Sequence, residues 1–187
     1  PYHGWTYSNT GRLIGCPFQD GYGKNFKKDE LGLVPVPQVD IYQGFIFAKL
    51  SEGGPSLDEY LGHAKPFIDE VARLGPEGIA LTAGVQKAAY NGNWKLQVEN
   101  SIDPYHFGFT HESWLEVTGK KKDWIQDIRE STTRKTMDLG NGHSVSTTDH
   151  QKLGIGSYTQ AFSLIVFPNL VLIGSQVRVV RPIAPMR

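Results

Sequence analysis

Apolar residues recur at helical spacing immediately after a polar stretch rich in glycine and proline. Residues 51–56 have the composition of a linker. Ser56 and Glu59 then form an S-x-x-E pattern, which is typical of a capping box at the start of a helix. An apolar stripe follows, and the pattern predicts one amphipathic helix with a kink at Pro66. The stripe consists of Leu57, Tyr60, Leu61, Ala64, Ile68, Val71 and Ala72.

A second helix is predicted over residues 93–102, where Trp94, Val98 and Ile102 fall on one stripe. Pro104 disfavours helical geometry in the residue before it and is well suited to a first helical turn. We therefore expect the second helix to end before Pro104 and a new one to start there, with Asp103 as its N-cap.

Four segments are rich in valine, isoleucine and leucine and predict β-strands: 33–39, 44–50, 163–173 and 176–184. Pro35 and Pro37 confine the first of these to an edge strand or an irregular extended run. The last two are expected to pair antiparallel, and the first of them contains turn residues at Pro168 and Asn169. The fold class predicted is α+β, with a boundary at the linker. Residues 1–50 are expected to be the later part of a small β domain, and residues 51–187 part of a mixed helix and sheet domain.

Composition excludes several classes of partner. The chain has 187 residues, with 39% hydrophobic and 20% charged residues, as ordinary globular domains do. Lysine plus arginine equals aspartate plus glutamate at 19 each, so no basic excess favours nucleic acid or an anionic membrane. Cys16 is the single cysteine, which excludes an internal disulfide. With no apolar run long enough to span a bilayer, the expected location is cytoplasmic.

Candidate chemistry is concentrated in the pattern D-x-x-H-x-x-x-x-H formed by Asp103, His106 and His111. Two neutral imidazoles can bind a divalent metal, and a nearby carboxylate can orient one of them. On a regular helix, five-residue spacing places the rings roughly 140° apart. Convergence on one metal then needs a local π-type widening or a helix loosened around Gly108. The alternative is two structural histidines, with Asp103 serving only as a cap.

The chain opens with Pro-Tyr-His-Gly-Trp, the run that comes directly after the second cysteine of a Rieske iron-sulfur motif, C-x-x-H-G-W. Together with the later histidine motif, it resembles the large (alpha) subunits of Rieske non-haem iron aromatic-ring-hydroxylating dioxygenases. The resemblance implies that His3 binds a 2Fe-2S cluster and that His106 and His111 bind a mononuclear Fe(II). It also implies that Asp103 bridges a cluster histidine of a neighbouring subunit to an iron ligand. The expected folds are a Rieske β domain and a helix-grip catalytic domain.

In that family, electrons pass from NADH through a reductase, and in some members a ferredoxin, to the cluster and then to the iron. Both atoms of O2 add to an aromatic ring to give a cis-dihydrodiol. The functional unit implied is an alpha trimer, often with beta subunits. Asn100, Phe107 and Phe109 flank the ligands and are candidates for the substrate pocket, with ordinary core packing as the alternative. The segments 167–170 and 176–182 are similar to the benzoate and toluate branch, which favours an aromatic acid substrate.

The remaining cluster ligands and the third iron ligand of the family are expected outside residues 1–187, so we interpret the chain as an internal fragment. Its cluster and its 2-His-1-carboxylate triad would be incomplete as given. Three alternatives stay open at this point. They are a monooxygenase or demethylase of the same superfamily, a non-catalytic helix-grip module that binds a small ligand, and a zinc hydrolase. The last is disfavoured because the H-E-x-x-H general base is missing.

Overall fold

The computed structural model describes residues 3–119, 126, 134–148, 162–174 and 176–184. Two compact units divide the chain, Pro1–Gly54 and Pro55–Arg187, so that the division falls within the predicted linker. Helices and antiparallel sheets are both present, which confirms the α+β prediction. The assignment of the two parts to a Rieske domain and a catalytic domain stays a prediction.

The first unit contains two small antiparallel sheets. Strands β1 (Thr6–Tyr7) and β2 (Leu13–Gly15) form one, and β3 (Gln38–Tyr42) and β4 (Phe45–Lys49) form the other. Short 3₁₀ helices lie between the sheets at Gln19–Tyr22 and Lys28–Glu30. In the segment 33–39 only Gln38 and Val39 lie in a strand, and the irregular run expected from Pro35 and Pro37 precedes them, because proline cannot donate to a strand ladder.

The second unit begins with two short helices, α1 (Leu57–Leu61) and α2 (Lys65–Ala72), joined by a 3₁₀ turn at Gly62–Ala64. Ser56 and Glu59 form the predicted capping box. The prediction of a single kinked helix is wrong, because a 3₁₀ turn separates two helices there. Pro66 lies in the first turn of α2, where its missing N–H leaves no hydrogen bond unmade.

Within residues 74–119, the helices are α3 (Trp94–Asn100), α4 (Phe107–Thr110) and α5 (Glu112–Val117). Asn93 caps α3 by accepting a hydrogen bond from the backbone of Lys95 at 3.1 Å. The predicted helix over 93–102 is therefore confirmed, although its last two residues form a turn.

A five-stranded antiparallel sheet completes the unit, in the order β5 (Arg134–Gly140), β6 (His143–Thr148), β7 (Phe162–Val166), β8 (Leu170–Ile173) and β9 (Gln176–Val179). The predicted strand over 163–173 is two strands, because the turn that contains Pro168 folds it into a hairpin. Strands β5 and β6 were not predicted, although Asn141-Gly142 is a strong hairpin signal.

Helix α3 packs on this sheet through the stripe that the sequence indicated. Val98 is buried with Ile165 of β7 and Val171 of β8, while Trp94 and Ile102 pack against the same cluster. Burying an aliphatic side chain contributes about 1.5–3 kcal/mol relative to leaving it exposed. This packing fixes the helix that leads into the Asp103 motif.

Candidate metal centre

Asp103 lies just beyond α3, and both of its carboxylate oxygens accept hydrogen bonds. Oδ1 accepts from the backbone N–H of Tyr105 at 2.7 Å. Oδ2 lies 3.3 Å from the backbone nitrogen of His106 and 3.1 Å from its Nδ1. Asp103 was predicted to be the N-cap of a helix, but α4 starts four residues later, at Phe107. Its carboxylate instead holds the turn that precedes α4.

Burial is the largest single effect on the pKa of Asp103 and raises it. The hydrogen bonds from Tyr105 and His106, together with the charge of His106, outweigh that effect, so the pKa is lowered from its ordinary value. The carboxyl group is therefore ionised at neutral pH and can only accept hydrogen bonds.

The position of this carboxylate determines which nitrogen of His106 can bind a metal. Because the ionised Asp103 can only accept, the Nδ1 atom of His106 must carry the proton that lies between them. In a neutral imidazole, Nε2 then has the free lone pair, which is the arrangement of a metal-binding histidine oriented by a carboxylate. The amide nitrogen of Asn100 lies 3.2 Å from that Nε2.

His111 comes close to His106 because the helix is interrupted there. The backbone of His111 has φ −104° and ψ 24°, so α4 ends at Thr110 and α5 begins at Glu112. The rings of His106 and His111 have centroids 5.6 Å apart at an interplanar angle of 60°. The chain therefore has a break between two short helices here, where the sequence analysis expected a widened or loosened helix, and the two rings lie next to each other.

Aromatic side chains surround the two histidines unevenly. Phe107 contacts His111, with ring centroids 4.8 Å apart, and Trp114 lies 5.8 Å from Phe107. Phe109, in contrast, is 67% exposed and packs on Tyr105 at 5.4 Å. Of the three pocket candidates, Asn100 and Phe107 therefore contact the histidines, while Phe109 lies with Tyr105 at the surface of the described residues. A pocket role for any of the three stays a prediction.

The separation of the two imidazole rings can be compared with the separation expected at a single metal ion. Two rings bound through nitrogen at about 2.1 Å would have centroids roughly 5 Å apart, close to the observed separation. Among residues 3–119, 126, 134–148, 162–174 and 176–184, no group of three or more His, Cys, Asp or Glu side chains is placed to hold a metal. The described residues thus bring two imidazole rings and the Asp103 carboxylate together, and metal binding by His106 and His111 stays a prediction.

His3 lies in the first unit and is exposed. The next residue, Gly4, has φ +71°, and a Cβ atom there would approach Cγ of Pro17 to 2.9 Å. Glycine is therefore required beside His3, both by the backbone conformation and by the close approach. Cys16, the single cysteine, has its Sγ 3.7 Å from the carbonyl oxygen of Pro17.

A buried histidine that the sequence analysis did not single out, His143, joins α1 to the sheet. Its Nδ1 accepts a hydrogen bond from the backbone N–H of Phe167 at 2.9 Å, so Nε2 carries the proton and donates to the carbonyl of Tyr60 at 2.8 Å. Burial lowers the pKa of His143, although the bond to Tyr60 acts in the opposite direction. This histidine is structural. No local signal could have found it, because its partner Tyr60 is distant in sequence.

No family model matches the chain. The large subunit of 2-halobenzoate 1,2-dioxygenase from Burkholderia cepacia is 30% identical over 98% of this chain and 47% of its own length. The alpha subunit of N,N-dimethyl phenylurea N-demethylase from Sphingobium sp. (strain YBL2) is 37% identical over 79% of this chain and 32% of its own length. The solved structure of naphthalene 1,2-dioxygenase from Rhodococcus sp. bound to indole has a TM-score of 0.71 at 29% identity, covering 91% of this chain and 44% of that one.

The chain thus has the fold of the naphthalene 1,2-dioxygenase structure over the part that it matches. The homologues of this chain include large or alpha subunits of the Rieske aromatic-ring-hydroxylating dioxygenases, which confirms the resemblance drawn from the two histidine motifs. Some are named as large oxygenase components of dioxygenase systems. The chain spans about half, or less, of the length of the curated relatives it matches.

Proposed function

We propose that the full-length protein is a ring-hydroxylating oxygenase that adds both atoms of O2 to an aromatic ring and forms a cis-dihydrodiol. The observation that carries the proposal is the arrangement of Asp103, His106 and His111. One imidazole is fixed by a carboxylate at 3.1 Å, and a second lies beside it with a centroid distance of 5.6 Å. These residues stand in a chain whose relatives include an aromatic-acid dioxygenase.

Nε2 of His106 and a ring nitrogen of His111 would hold a mononuclear Fe(II), whose bound form supplies one-electron chemistry with O2 at open coordination positions. Asp103 keeps the proton on Nδ1 of His106 and so presents the correct lone pair. Phe107 packs against His111 and restricts the orientation of that ring. His3 would be one ligand of a Rieske cluster, which relays single electrons.

The partners of the proposed enzyme follow from the same family. Relatives named as components of multicomponent systems support a separate reductase that delivers electrons from NADH, with a ferredoxin in some systems. We also propose that three large subunits form a ring and that the protein is cytoplasmic. Within the described residues, no helix is long and apolar enough to cross a membrane.

An aromatic acid is the proposed substrate class, because the 2-halobenzoate dioxygenase subunit matches almost the whole chain. The test supplies full-length protein and its reductase with benzoate or a halobenzoate under ¹⁸O2. The expected product is a cis-dihydrodiol that contains two labelled oxygen atoms. A product with one labelled atom, or formaldehyde released from an N-methyl substrate but no diol from any aromatic, would contradict the proposal and indicate the chemistry of the demethylase relative.

A further inference from the structure

Both ring nitrogens of His106 are engaged. Asp103 accepts a hydrogen bond from the N–H of Nδ1, and the amide nitrogen of Asn100 lies 3.2 Å from Nε2. An amide nitrogen only donates hydrogen bonds, and Nε2 of this tautomer only accepts. Asn100 therefore donates to the same lone pair that a metal would use. That lone pair can serve one partner at a time.

We propose that Asn100 is a positioning residue that occupies the metal-binding nitrogen of His106 and is displaced when a metal binds. The inference rests on the proposed role of His106 as a metal ligand. It gives Asn100 a different task from lining a substrate pocket, which is the task suggested by its position in the sequence.

The structure provides both parts of such an exchange. Asn100 is the last residue of α3, and the packing of Val98 on the sheet holds that helix end next to the ring. The Asn100 residue itself is exposed, so its amide can rotate towards water without losing a buried partner. Asp103 continues to hold Nδ1 after the exchange, and the orientation of the ring is therefore kept.

Removal of the amide should consequently strengthen metal binding. A metal entering the Asn100→Ala protein no longer has to break a hydrogen bond, and a bond of ordinary net strength corresponds to roughly a 2- to 13-fold change in affinity. A pocket-lining residue would show no such gain, because it does not compete for Nε2. A ligand to the metal would show a loss.

The exchange can be tested without turnover by acylation of histidine with diethyl pyrocarbonate, which requires a free imidazole lone pair. Full-length protein is stripped of mononuclear metal with a chelator and treated at one pH above the ordinary histidine pKa of about 6.5. Mass spectrometry of peptides then gives the rate at His106. Glu99→Gln, an exposed change on the same helix, is the matched control. His143 is buried and reports any general loosening of the fold.

We expect His106 to react roughly 2- to 13-fold faster in Asn100→Ala than in the wild type and in Glu99→Gln, with His143 unreactive in all three. Equal rates at His106 would overturn the inference. A second experiment adds Fe(II) under anaerobic conditions before the reagent. Bound Fe(II) should protect His106 from acylation in every variant and should bind more tightly to Asn100→Ala. Absence of protection in all variants would refute the proposed metal role itself, whereas protection with equal metal-free rates would refute only the role of Asn100.

Discussion

Replacement of Asp103 by asparagine tests how much the orienting carboxylate contributes to metal binding. The carboxylate accepts from Tyr105 through one oxygen and from His106 through the other. An asparagine side chain has one accepting oxygen and one NH2 group of nearly the same size. Whichever way the amide is turned, an N–H of Tyr105 or the ring N–H of His106 faces a donor.

The magnitude follows from these two orientations. If the amide oxygen faces Tyr105, the proton of His106 moves from Nδ1 to Nε2 and the metal-binding lone pair is lost. If the amide oxygen faces His106, the tautomer is kept, but a neutral amide oxygen replaces the charged carboxylate as the hydrogen-bond acceptor of the ring. Loss of such an orienting partner lowers metal affinity by about 10- to 100-fold. This corresponds to about 1.4–2.7 kcal/mol of binding free energy.

The assay is an anaerobic titration of Fe(II) against a competing chelator in the full-length protein. Glu99→Gln makes the same chemical change at an exposed position of α3 and should leave the affinity unchanged. Rieske absorption bands are recorded in parallel as a check on the other metal site. An Asp103→Asn protein that binds Fe(II) as tightly as the wild type would refute the reasoning, because the carboxylate would then have no influence on His106.

Three further predictions concern stability, each measured as the urea midpoint of the full-length protein. Ile165 is 3% exposed in the cluster under α3. Ile165→Ala should therefore lower the free energy of unfolding by about 2–5 kcal/mol, and Ile165→Val by only about 0.5–1.5 kcal/mol. Equal losses in the two variants would contradict this packing. Ser56→Ala removes the cap of α1 and should cost about 0.5–2 kcal/mol, and no loss would mean that the capping box is not formed in solution. Burial lowers the pKa of His143, so the folded state binds fewer protons than the unfolded chain. The corresponding stability is present above the unfolded value of about 6.5 and is lost as the pH falls through the folded pKa. His143→Gln should remove that pH dependence, and a variant with an unchanged acid profile would rule out this histidine as its source.

Local sequence patterns were sufficient for several parts of the second unit. The capping box of Ser56 and Glu59 forms as predicted, because both partners lie within one helical turn. The stripe of Trp94, Val98 and Ile102 packs on the sheet, since helical periodicity alone determines which side chains share a face. Both signals depend only on near neighbours in the chain.

Contacts between distant parts of the chain could not be read in this way. His143 in β6 forms a hydrogen bond with the carbonyl oxygen of Tyr60 in α1. No local sequence pattern around either residue predicts this contact. The spacing of the two histidines showed that a regular helix would separate their rings. It did not show that the helix is interrupted at His111. The Asn141-Gly142 turn between β5 and β6 was predictable, because an Asn-Gly pair is a strong hairpin signal, but it was not predicted.

His106 and His111 are proposed to bind one catalytic iron, and a Rieske cluster is proposed as a second metal site of the full-length protein. The proposed oxygenase chemistry depends on the two histidines. The most direct test measures iron content and visible absorption of the full-length protein with His106→Ala or His111→Ala, using the exposed His63→Ala as control. We predict that each site variant loses one iron per chain and all turnover while keeping the Rieske bands, and that the control keeps everything. Site variants that retain both the iron and the activity would contradict the claim.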